Sequence, residues 1–141
     1  MLCFKISSDA RFFAILHPTL QEIVLDLTNG IWKEKTGEED LVLSELWRDH
    51  DDTVASYRAA GLDPPKISVH ELLPCRGADV SVRRRLDGAY LPDAQVKEVV
   101  EELNQRWQYH LTDRYQVALF HDVRGPHIHL QVRPGTETKR R

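Results

Sequence analysis

Residues 127–132 read HIHLQV, a strict alternation of polar and apolar side chains. An extended strand sends successive side chains to opposite faces. His127, His129 and Gln131 therefore share one face, and Ile128, Leu130 and Val132 share the other. The apolar row has to be covered, which calls for a sheet packed on one side by other elements. The opposite face is either merely wet or it lines a site, and two imidazoles there pose that question.

The covering elements are legible as helices. Pro18 suits a first helical turn, and Leu20, Ile23, Val24, Leu27 and Ile31 recur at helical spacing behind it. Over residues 93–108, Val96, Val99, Val100, Leu103 and Trp107 make a second stripe, with acidic residues outside it. Residues 49–61 open on acidic capping residues and end at Gly61, which predicts a short helix. Strands are predicted near 1–6, 41–47, 78–82 and 115–120, the last pairing with 127–132 across HDVRGP. In ADVSV, Ala78, Val80 and Val82 take the core face, and Asp79 and Ser81 take the other. Without regular βαβ spacing, this order predicts an α+β domain: a small antiparallel sheet with helices packed on it.

Bulk properties narrow the class. A chain of 141 residues with 41% hydrophobic and 29% charged residues makes one globular domain. Residues 134–141, ending in Lys139, Arg140 and Arg141, read as a flexible tail. A net charge of −3 leaves no nucleic-acid footprint. Cys3 and Cys75 are too few for a disulfide framework. No apolar run approaches the roughly 18 residues of a membrane span. MLCFKISSDARFF lacks the basic-then-apolar pattern of an export signal, which predicts cytoplasmic synthesis. A monomer is expected.

Candidate metal ligands cluster in the same elements. His70 precedes the turn marked by Pro74 and Gly77, Asp79 opens the strand after it, and His127 and His129 lie on the polar face of another strand. A His, a carboxylate and a second His leave one position of a tetrahedral ion open, which is the ligand set of a catalytic zinc. Such an ion lowers the pKa of water toward roughly 7 and polarises a carbonyl.

The stretch SVHELLPCRGADVSV followed by HIHLQV resembles the zinc peptidases that act as D-alanyl-D-alanine carboxypeptidases and L-alanyl-D-glutamate endopeptidases, whose fold the hedgehog signalling domain shares. The matching elements are Ser68-Val69-His70, then Arg76-Gly77-Ala78-Asp79, then the distal His-x-His strand. The resemblance implies Zn²⁺ held by His70, Asp79 and His129, with His127 a neighbouring site residue. It also implies a peptidoglycan stem peptide as substrate. Upstream, LVLSELWRDHDD is similar to a Ser-x-x-Arg element, with one extra residue between Ser44 and Arg48. That implies a catalytic or substrate-binding role for Arg48, polarising the scissile carbonyl or holding a carboxylate. Gln131, on the face of His129, is expected to steady a ligand or meet substrate, and Ser68 and Ser81 to serve as supporting donors. With no export signal, the resemblance points to a phage-encoded member released by lysis or carried on a particle.

This chain departs from the family pattern at two further points. Eight residues rather than six separate His70 from Asp79, which brings Cys75 close enough to be an alternative ligand. The family's general-base Glu, shortly before the last ligand, has no counterpart between residues 116 and 129. His121, Asp122 and His127 are the candidates for that role. A catalytically inactive, metal-binding or structural relative is the alternative function.

Overall fold

The long N-terminal helix forms as its apolar spacing demands. In the computed structural model, which describes residues 1–5, 10–109, 116–122, 125–134 and 138–140, a strand β1 (Leu2–Phe4) and a short helix α1 (Ala10–Phe13) precede α2 (Pro18–Asp26). Pro18 opens α2, and the His17 ring caps it by accepting from the Thr19 amide. The helix does not stop at Ile31. It passes through a π-helical stretch, Leu27–Ile31, into α3 (Trp32–Thr36), and ends at Gly37 in the left-handed region. Thr28, Asn29 and Gly30 are weak helix formers, and the widened turn falls on them.

The remaining elements are β2 (Leu41–Glu45), α4 (His50–Ala59), a 3₁₀ turn (Val69–Glu71), β3 (Gly77–Ser81), α5 (Asp93–Arg106), β4 (Trp107–Tyr109), β5 (Ala118–His121), β6 (His127–Gln131) and β7 (Thr138–Arg140). Five strands form one sheet in the order β1-β2-β3-β6-β5. The α+β class holds, but the sheet is mixed rather than antiparallel, because β1 runs parallel to β2. The chain between them travels through α1, α2 and α3, and a connection of that length permits a parallel neighbour. Inside the segment read as a tail, β7 pairs antiparallel with β4, which continues the chain straight out of α5. The helix predicted to reach residue 108 therefore ends two residues earlier, at Arg106.

One sheet face carries Leu41, Leu43, Ala78, Val80, Ala118, Ile128 and Leu130, all buried in a single cluster with the apolar stripes of α2 and α5. Removing the leucine, isoleucine and valine side chains among these from water supplies about 1.5–3 kcal/mol each. The other face carries Asp79, His127, His129 and His121, which cross-strand pairing sets side by side: Asp79 opposite His129, and His121 opposite His127. A register shift between Leu43 and Glu45 then sets Glu45 opposite Asp79, on the same face. The sheet thus presents a core on one side and a row of titratable groups on the other.

Candidate metal centre

His70 enters the site from the 3₁₀ turn, not from a strand. Ser68 caps that turn: its hydroxyl accepts from the His70 amide, and Glu71 reaches back to accept from the Ser68 amide at 2.9 Å. The turn lies directly against β3. A Cβ at Gly77 would stand 2.8 Å from Val69 Cγ2 and 3.1 Å from the His70 ring, so only glycine allows this approach. Nδ1 of His70 lies 2.6 Å from the Leu46 carbonyl and must donate to it, which turns Nε2 toward Asp79 Oδ1 at 3.3 Å. From the neighbouring strand, His129 Nδ1 stands 2.9 Å from the same oxygen.

His70, Asp79 and His129 are buried, and each offers a ligand atom within 4.8 Å of the others. Metal–nitrogen and metal–oxygen bonds of 2.0–2.1 Å in a tetrahedron set ligand atoms about 3.3 Å apart. The His70–Asp79 separation of 3.3 Å matches that edge, and the His129–Asp79 separation of 2.9 Å is shorter, a hydrogen-bond length. A backbone carbonyl on the far nitrogen of a ligating imidazole is also the usual way such a ring is aimed. The group could hold a metal ion, and the donor set fits one.

Electrostatics agree with the geometry. Burial opposes ionisation of Asp79, but the charges and hydrogen bonds of His70 and His129 overcome it and hold the carboxyl well below its ordinary range. Burial likewise works against a charged His70, and the Asp79 carboxylate reverses this, so His70 is raised. At His129 burial prevails over the same carboxylate, and its pKa is lowered. Cys75 is no fourth donor. Its thiol donates to the carbonyls of His70 and Gly77, and burial pushes its pKa up to about 11. The LLPC stretch accommodates the longer spacing while turning Cys75 into the core.

The triad forms the floor of an open cleft of about 890 Å³. His127 lines it, with Nδ1 on the Gly125 carbonyl at 3.0 Å and Nε2 3.8 Å from Asp79 Oδ2. His121 also lines it, its ring stacked parallel on His129 at 5.2 Å, and burial followed by the His129 and His127 rings lowers its pKa. Asp122 is exposed and is not among the cleft-lining residues. Arg48 lines the cleft but its guanidinium is engaged three ways, by Glu45 at 2.9 Å, Thr53 at 3.1 Å and Ser68 at 3.4 Å. Gln131 is buried and donates to the Gln116 carbonyl. Ser81 accepts from the Arg83 amide, while it is Ser44 whose hydroxyl reaches the Asp79 backbone carbonyl.

Three supports of the site went unread in the sequence: the Leu46 carbonyl, Glu45 and Glu71. The Ser68-x-x-Glu71 capping pattern was a readable signal for the last of these. No protein-family model, no curated protein and no solved structure matches this chain.

Proposed function

We propose that this protein is a zinc-dependent peptidase that hydrolyses an amide bond in peptidoglycan stem peptides. The observation that carries the reading is the convergence of His70, Asp79 and His129 on one point at the floor of an open cleft. The resemblance of SVHELLPCRGADVSV and HIHLQV to the D-alanyl-D-alanine peptidases supplies the substrate class. When bound, the ion supplies Lewis acidity toward the scissile carbonyl and toward water.

The chain's own residues do the rest. His127 is the proton carrier: its Nδ1–H is spent on the Gly125 carbonyl, which leaves the Nε2 lone pair on the Asp79 side. Nε2 takes a proton as water adds to the carbonyl carbon, and returns it to the amine as the C–N bond breaks. Arg48 braces Glu45, Thr53 and Ser68, and so fixes the turn that carries His70.

A second reading has its own observation. The carboxylates lining the cleft, among the described residues, are Asp79, Glu45 bound to Arg48, and Asp52. A metal-binding, non-catalytic relative would have this shortage of a carboxylate base. Incubation of the zinc-loaded protein with purified muropeptides, read by mass spectrometry, separates the two. Cleavage is expected, with complete loss in His70→Ala and a loss of about 10²–10⁴-fold in His127→Ala. Full zinc content with no cleavage of any muropeptide gives the second reading the field.

A further inference from the structure

Of the three arginines that line the cleft, Arg48 and Arg83 differ in their commitments. Arg48 is 12% exposed and has its guanidinium on Glu45, Thr53 and Ser68, so its charge is neutralised within the protein. Arg83 continues the face of Asp79 and Ser81, four and two residues further along the chain, and it is exposed. Its guanidinium lies over the ring of Tyr90, with Cζ 4.3 Å from the centroid, and one terminal nitrogen donates to the Tyr90 hydroxyl at 2.6 Å. The two residues are also joined by a backbone bridge. Among the described residues Arg83 has no carboxylate partner, and the Tyr90 hydroxyl reaches across to Gly125, two residues before His127.

A guanidinium stacked on an aromatic ring is oriented without being neutralised. One N–H is spent on Tyr90, and the planar fork of this cleft-lining residue keeps further N–H donors of the kind that suit a carboxylate. We propose that Arg83, held on Tyr90, binds a carboxylate of the substrate and makes the cleft selective for acidic peptides. The inference rests on the peptidase reading, and it assigns to Arg83 the carboxylate recognition that the sequence alone placed on Arg48. Four residues of extended chain separate Asp79 from Arg83 by about 13 Å. The recognised carboxylate therefore lies within about four residues of the cleaved amide.

The test uses the zinc-loaded protein and two stem peptides that differ only in whether the D-glutamyl α-carboxyl is free or amidated. Binding is measured by calorimetry and cleavage by mass spectrometry, with circular dichroism to confirm that each variant folds. The native chain should bind the free acid at least about tenfold more tightly, a preference that shrinks as salt is raised. Arg83→Gln should bind both peptides alike, and Arg83→Lys should recover part of the preference. Arg84→Gln, beside Arg83 in sequence but outside the cleft and paired with Asp87, should keep the preference. Equal binding of the two peptides by the native chain, binding of neither, or a preference that survives Arg83→Gln overturns the proposal. Discrimination without cleavage removes the peptidase reading and leaves the carboxylate subsite standing. Cleavage without discrimination does the reverse.

Discussion

A single carboxylate oxygen, Oδ1 of Asp79, faces two imidazole nitrogens at 2.9 and 3.3 Å. This arrangement makes opposite demands on the two rings. The carboxylate outweighs burial at His70 and not at His129, so in the metal-free protein His70 holds its proton above the ordinary value of 6.5 and His129 releases its proton below it. Linkage follows with opposite signs. The His70 contribution to stability is fully present below 6.5 and is lost as pH rises through its folded value. That of His129 is present above 6.5 and is lost as pH falls through its folded value. The depressed Asp79 stabilises above its unfolded value, and this is lost as pH falls through the folded one. Proton NMR titration of the imidazole C–H resonances in chelator-treated protein should find one buried histidine on each side of 6.5. Asp79→Asn should bring the upper one down. Two rings titrating together, unmoved by that substitution, would contradict the arrangement.

At the scale of elements, the site depends on how closely the 3₁₀ turn approaches β3. Gly77→Ala drives a methyl against Val69 and the His70 ring, and any retreat of that ring moves the ligand. Overpacking of this kind costs about 1–3 kcal/mol. The expected result is a lower urea midpoint together with weaker zinc binding in Gly77→Ala, whereas Gly30→Ala, with nothing near its Cβ, should leave zinc binding as it is. An unchanged zinc affinity in Gly77→Ala would mean that the turn has slack. The same elements show what sequence could reveal. Period-two runs exposed the two-faced nature of β3 and β6, and period-3.6 stripes exposed α2 and α5, because burial on one face imposes those spacings. The parallel partnering of β1, the bulge that turns Glu45 toward Asp79, and the Leu46 carbonyl behind His70 were not legible. Strand order, a one-residue register shift and a backbone acceptor leave no mark on side-chain periodicity. The commitments of Arg48 and Arg83 were equally silent, since an arginine's partners are set by tertiary packing.

For the molecule as a whole, the candidate ligands come from three places that the chain joins only distantly. His70 sits on the turn, Asp79 on β3, and His129 on β6, fifty residues beyond Asp79 in sequence. An ion there would clip the turn to the sheet and tie the two central strands together on the face opposite the core. Such a clip acts on the folded state alone, so its effect on stability follows mass action. Free zinc at about 100 times its dissociation constant adds about 2.7 kcal/mol. For a domain of this size that is a rise in Tm of roughly 10 °C. The rise should keep growing logarithmically with zinc concentration and should vanish in His70→Ala and His129→Ala. Differential scanning calorimetry across a zinc series reads it directly. A Tm indifferent to zinc in the native chain would show that Asp79 serves only as a hydrogen-bond hub between two histidines, and would withdraw the metal from the mechanism.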